Sequence, residues 1–357
     1  MLDLPGYPAS DLRYLPREQV VAALDEVDCV EVTAQALRRH ALGSTILPDE
    51  AYLPWQTPDG HSARSLGMPG AIRTDSGLDL GLKVINASLG NPDRGLARSQ
   101  GLLMMFDPET AYPVCVMESA YISALRTAAV TAVSAQRLRT DPVGHLAVLG
   151  CGTLARAHLR LLPAVSDRLQ TVTLFDLDRS RAEALADALR ADPDTADLTV
   201  RVEDSARACV DGADLVVTVT VTTEGYLAPE WFAPGALIAH VSLDDVLPEV
   251  VAAAGLVVVD DWGLVSHDDR RLLGRMWRAG TLRAPDGGYR PDATPDPTAA
   301  QVHTTLGDVL AGRHPGRVEP GRLVLSNPFG MSILDVALGA RVAAYAEEHD
   351  LGLRIPR

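Results

Sequence analysis

The residues able to do chemistry fall into two sets. The first is a turn: Gly150, Gly152 and Ala155 form a G-x-G-x-x-A pattern inside HLAVLGCGTLARAHLRLL. The first glycine permits a tight turn, the second lets backbone approach a pyrophosphate, and the small third residue lets helix and strand pack closely. Thr153 and Leu154 open the helical pattern that follows, so backbone N–H groups there would face phosphates at the positive end of the helix dipole. Asp176 closes the next apolar run, where a carboxylate accepts hydrogen bonds from a ribose 2′-OH and repels a 2′-phosphate. That favours NAD over NADP, with Arg179 and Arg181 near enough in sequence to soften the preference.

The second set is ionic. Arg126 stands out in the otherwise neutral, small-residue stretch SAYISALRTAAVTAVSAQRL. It is either a salt-bridged helix residue or a bidentate clamp for a carboxylate, a task that the planar guanidinium suits. In LDLGLKVIN, Leu78, Leu80, Leu82 and Val84 share one strand face, and Lys83 lies on the other with Asp79 and Gly81. A lysine so placed is ordinarily a solvated sheet-face residue; the alternative is a cation held for a ligand. Asp244 and Asp245 follow the apolar run that ends in HVS, and Thr218, Val219 and Thr220 end another. Ligands bind beyond the carboxyl ends of parallel strands, so these acids are either turn and cap residues or catalytic groups beside the crevice.

Two scaffolds are needed to position these sets. From 145 onward apolar runs alternate with helical patterns: strands over 145–150, 171–175, 198–202, 214–220, 236–242 and 256–260, with helices over 179–190 and 205–209 between them. This predicts an α/β, Rossmann-type doubly wound parallel sheet. Before it, helices are expected from Pro16 and over 31–42, then a Pro/Gly-rich loop over 51–70 carrying Arg64 and Met68. Strands over 78–86, 102–105 and 112–117 and a helix over 119–138 follow, an antiparallel or mixed α+β arrangement. The stretch 282–299 reads as a loop, 322–327 as a last strand, and 332–347 as a helix that returns to the first domain. The expected division is therefore 1–125 with 325–357, the part to which the family resemblance set out below assigns substrate binding and dimerisation, and 126–324 for the nucleotide.

Composition narrows the function classes. With 47% hydrophobic and 22% charged residues, the 357-residue chain can bury two cores. A formal net charge of −15 argues against nucleic acid and anionic membrane surfaces as partners, so an acidic substrate needs its own local cations. Cys29, Cys115, Cys151 and Cys209 lack metal-ligand spacing and are expected to be reduced and mostly buried, with no metal. The opening MLDLPGYPASDLRYL has neither a basic n-region nor an apolar h-region, and no run approaches membrane-spanning length. A cytoplasmic location is the resulting expectation.

ALRTAA at 124–129, placed just before HLAVLGCG, resembles the ornithine cyclodeaminase/μ-crystallin family. The same order of features includes Met68-Pro69, GLKVIN, GLARSQGLLMMFD and the late N-P-F-G before a terminal helix, so the resemblance runs from about Arg64 to Glu347. It implies NAD as cofactor, a homodimer, and an amino-acid substrate bound through carboxylates by Lys83 and Arg126. Asp244 is the implied acid/base residue, with Asp245 one alignment position away. Arg64, Arg98 and Met68 join the substrate residues, and Ser242, Asn327 and Gly330 the cofactor residues. RSLGMP, Arg98 and VSLDD are most similar to the family's dehydrogenases of 2,3-diaminopropionate biosynthesis, which act on N-(2-amino-2-carboxyethyl)-L-glutamate. Leu66 stands where the familiar cyclodeaminases carry an acid, and Arg64 lies nearer Met-Pro than their upstream arginine; both departures speak against ornithine cyclisation. The alternatives are an ornithine-type cyclodeaminase, a ketimine or amino-acid reductase, and a non-catalytic, crystallin-like nucleotide-binding protein.

Overall fold

A computed structural model describes residues 11–139, 141–317 and 321–356. Most of the opening stretch expected to carry no leader, residues 1–10, lies outside the described residues. The chain divides into two compact units, Met1–Arg126 with Met331–Arg357, and Thr127–Gly330.

The first unit is built on an eight-stranded mixed sheet. Strand Ser62–Thr74 pairs antiparallel with Gly77–Ser88, which pairs with Ser99–Phe106 and then Pro113–Glu118. Leu12–Leu15 adds parallel to Pro113–Glu118, and Leu353–Ile355 closes that edge. The expected loop over 51–70 is instead strand Ala51–Gln56 turned back onto Ser62–Thr74. Its prolines misdirect a reading by turn residues. Pro54 lies on an edge strand, and Pro69 falls where neither Thr45–Ile46 nor Ala51–Gln56 pairs with its strand, so both positions tolerate a missing N–H.

Alternation does separate Lys83 from the leucines, but burial is inverted. Met68, Gly70, Gly81, Lys83, Leu103, Met105, Cys115 and Met117 share the buried face. Helix Ser332–Glu348 covers it. Glycines allow the close approach: a Cβ on Gly70 would come 2.4 Å from Ser332 Oγ, and one on Gly339 would come 2.3 Å from Leu103 Cδ2. The opposite face, with Leu78, Leu80, Leu82 and Val84, is only partly buried, and its Leu102 is 46% exposed.

The second unit holds an all-parallel sheet in the order Thr199–Val202, Thr171–Phe175, His145–Leu149, Leu215–Thr218, Leu237–His240, Val324–Asn327, Leu256–Val259, Thr304–Thr305. Leu215–Thr218, Leu237–His240, Leu256–Val259 and Val324–Asn327 are buried throughout, as strands covered on both faces must be. The order of travel reverses between His145–Leu149 and Leu215–Thr218, the switch point at which such sheets bind ligands. Val324–Asn327 sits between two strands of this sheet, so the nucleotide unit runs on to Gly330 instead of stopping at 324. The expected loop over 282–299 is tethered: Leu282–Arg283 pairs with Ala300–Gln301, and the Tyr289 hydroxyl donates to Asp296 O at 2.9 Å.

Candidate active site

Lys83 is buried on its strand, and its Nζ donates to Asp335 Oδ2 at 2.6 Å and to Ser123 Oγ at 3.4 Å. Arg126, on helix Ala120–Leu138, lies with Nε 3.4 Å from Asp335 Oδ1. Two cations thus meet one buried acid, leaving a surplus positive charge. Arg126 Nε and Asp335 Oδ1 make no hydrogen bond, although both are buried and form that ion pair. An unmade hydrogen bond at a buried polar atom costs about 1–3 kcal/mol, so a guanidinium left this way is suited to receive a ligand oxygen. Burial lowers the Lys83 pKa to about 8, with Asp335 opposing the shift and Arg126 reinforcing it. Lys83 is also the chain's sole lysine; every other basic side chain among its 32 Lys and Arg residues is arginine.

Of the other sequence-derived substrate residues, Met68 pairs with Lys83 across the sheet. Arg64 is four positions from Met68 on the same strand and therefore on the same face. Arg98 lies close enough to Arg64 that burial, and then the charge of Arg64, both lower its pKa. Asp335 escaped the sequence reading. An acid in the first turn of a helix looks like a dipole partner, and only its place in the apolar run SILDVALG hinted at burial.

The second unit shows the cradle expected of a dinucleotide site. Gly150 has φ of +90°, and a Cβ there would come 2.9 Å from Val219 O, so only glycine fits. Gly152 caps helix Thr153–Val165 without a side-chain hydrogen bond, and a Cβ on it would find nothing within 4 Å. An uncapped helix start with room beside Gly152 has the features that a pyrophosphate at this turn would need. Asp176 accepts from Cys151 N at 2.7 Å and Asp178 N at 3.0 Å, which ties its carboxylate to the glycine turn. Arg179 is ion-paired with Glu183 and Asp204, and Arg181 with Asp178.

Asp244 and Asp245 have different surroundings although they are adjacent. Asp244 is ion-paired with Arg275 on helix Leu272–Arg278, a partner the sequence reading missed. Asp245 accepts hydroxyl hydrogen bonds from Thr220 at 2.8 Å, Tyr226 at 2.9 Å and Ser242. Burial pushes its pKa up, and the three hydroxyls pull against that shift. Ser242 Oγ, its own proton given to Asp245, accepts from the Thr218 hydroxyl at 2.8 Å, so Asp245 binds together the chain segments beyond two strands of the switch-point sheet. Asn327 donates to His240 O at 2.7 Å, and Asp260 accepts from Phe329 N at 2.8 Å and Gly330 N at 2.7 Å, which fixes the N-P-F-G turn.

The ornithine cyclodeaminase/mu-crystallin family matches residues 14–349. The chain belongs to that family. It is 29% identical over 346 residues to the N-((2S)-2-amino-2-carboxyethyl)-L-glutamate dehydrogenase of Staphylococcus aureus, covering 96% of this chain and 97% of the relative. The crystal structure of CmnK matches with a TM-score of 0.86 at 40% identity, covering 96% of this chain and 98% of that one. An archaeal alanine dehydrogenase dimer with bound NAD matches with a TM-score of 0.81 at 25% identity, covering 97% and 99%.

Proposed function

We propose that the protein oxidatively cleaves N-(2-amino-2-carboxyethyl)-L-glutamate to 2-oxoglutarate and 2,3-diaminopropionate. It is an NAD-dependent amino-acid dehydrogenase of a family that also contains cyclodeaminases and reductases. The observation carrying the finer reading is the buried cluster of two cations and one acid, whose surplus charge and unused Arg126 Nε suit a substrate carboxylate. Similarity over nearly the whole chain to a dehydrogenase of that substrate supports the same choice.

Lys83 and Arg126 hold the carboxylate beside the reacting Cα, and Arg64 with Arg98 supplies positive charge for a second one. Holding the substrate at these points removes much of the orientational entropy from the barrier. Asp244 takes the proton of the secondary ammonium, so the nitrogen lone pair can form the C=N bond as Cα–H is lost. NAD, held at the Gly150–Gly152 turn, would supply the hydride acceptor. With that first proton passed to solvent, Asp244 takes a proton from water attacking the iminium carbon and returns it to the nitrogen. The C–N bond then breaks as the new hydroxyl gives its proton back to Asp244, releasing 2-oxoglutarate and 2,3-diaminopropionate. Leu66, buried two positions before Met68, offers no acid for the amine of ornithine. The partly exposed apolar sheet face around Leu80, Leu82, Val84 and Leu102 is the surface we assign to a homodimer.

Incubation with NAD and the proposed substrate should build up NADH absorbance, with both products identified by mass spectrometry. Ornithine should give no cyclised product. NADH from alanine alone, with none from the glutamate adduct, would refute the substrate assignment. Among the described residues no helix is long and apolar enough to cross a membrane.

A further inference from the structure

The position of Asp335 is set by how its helix docks. Ser332 Oγ, one turn earlier, donates to Pro69 O at 2.6 Å, and Gly70 lets the helix start sit against the strand beside the Lys83 strand. The carboxylate is thereby inserted between the two cations, one oxygen toward each: Oδ2 to Lys83 Nζ at 2.6 Å and Oδ1 to Arg126 Nε at 3.4 Å. Ser123, three residues before Arg126, accepts from both cations, at 3.4 Å from Lys83 Nζ and 3.5 Å from Arg126 Nη2. The chain uses arginine for every other cation and places its one lysine at this fully buried point. Lysine loses its proton readily on burial, whereas arginine does not.

We propose that Asp335 is a positioning residue that joins Lys83 and Arg126 into one carboxylate-receiving unit and keeps the Lys83 ammonium charged until substrate arrives. The proposal deepens the functional reading above, since it takes Lys83 and Arg126 as the substrate-carboxylate pair. The charged groups acting on Lys83 are Asp335 from the last helix, Arg126 from its own helix and Glu50, which precedes strand Ala51–Gln56. Its strand neighbours Met68 and Leu103, and Ser123, are uncharged. Asp335 and Glu50 favour the ammonium; burial and Arg126 oppose it. With Asp335 present, the ammonium dominates at neutral pH and is lost as pH rises through about 8, so substrate affinity falls over that range. Without Asp335 the two opposing influences dominate, and the loss moves to lower pH.

Because there is one lysine, nitrogen-15 labelling of the lysine side chain gives one amine signal in the full-length, NAD-loaded enzyme, and its pH titration reads Lys83 directly. The wild-type midpoint is expected at about 8. Asp335→Asn should lower it by at least about one unit, raise KM about tenfold or more at neutral pH, and change kcat far less. The alkaline limb of kcat/KM should shift down with the midpoint. In the Lys83→Arg/Asp335→Asn double variant that limb should vanish, because arginine keeps its charge. A wild-type signal titrating like a solvent-exposed lysine would overturn the proposal, as would an unmoved midpoint in Asp335→Asn. If Asp335→Asn does not fold, Asp335→Glu should hold the midpoint near the wild-type value while raising KM; a midpoint that falls there refutes the role of the charge. The titration needs no turnover, so an enzyme that ignores the proposed substrate still decides the role of Asp335. A normal turnover with an unmoved midpoint rejects this role alone.

Discussion

Asp335 in the first unit and Asp245 in the second are both fully buried carboxylates, yet their partners differ in kind. Asp245 is surrounded by neutral hydroxyls from Thr220, Tyr226 and Ser242, and both its oxygens accept hydrogen bonds. Asp335 stands between two cations, with Oδ1 lacking any hydrogen bond and Arg126 Nε equally unserved. The first arrangement is complete as it stands and joins loops. The second carries a net charge and, at Arg126 Nε, an unused donor that a bound carboxylate oxygen would accept from. Buried polar clusters can therefore be sorted by what they leave unsatisfied: a saturated acid fixes the backbone, an incomplete one receives a ligand.

The sharpest contrast lies between Asp244 and Asp245. If Asp244 is the acid/base group, Asp244→Asn should lower kcat by about 10²–10⁴, the usual contribution of a positioned general base, and leave NAD affinity unchanged. Stopped-flow NADH formation with calorimetric NAD binding would measure both. Near-wild-type kcat in that variant would transfer the chemistry elsewhere. Arg126→Ala tests the incomplete cluster. Loss of one member of a buried charge pair costs about 2–5 kcal/mol, so kcat/KM should fall roughly 30- to 4,000-fold, mainly through KM. An unchanged KM would remove the carboxylate clamp from the site.

The nucleotide unit was the more legible of the two because each of its signals is local. The strands His145–Leu149 and Thr171–Phe175 are short apolar runs closed by Gly150 and Asp176, and the intervening helix begins at the glycine turn. The first unit depends on contacts distant in sequence. Nothing near Lys83 reveals that its face is the buried one, because the partner that covers it begins some 250 residues later and Lys83–Asp335 spans 252 positions. Pro54 and Pro69 concealed a hairpin by occupying places where a strand can spare its N–H. Asp335 and Arg275 were hidden for the same reason: their meaning lies in a partner far along the chain.

The smallest expected effect sharpens the comparison most. Tyr226→Phe removes one of three hydroxyl donors to Asp245 and leaves the ring, which packs against the apolar core of the nucleotide unit, in place. A hydrogen bond from a neutral donor to a charged acceptor contributes about 1.5–3 kcal/mol, and Thr220 and Ser242 still serve the carboxylate, so stability should fall by about 1 kcal/mol. Urea denaturation with NAD absent would read that change. Asp245 has lost a donor that stabilises its ionised form, not a substrate contact, so kcat and KM should stay within about twofold of wild type. A kcat as low as that of Asp244→Asn would show that the hydroxyl-bound acid takes part in the chemistry after all. Satisfied hydrogen bonding would then no longer separate scaffold from site in this protein.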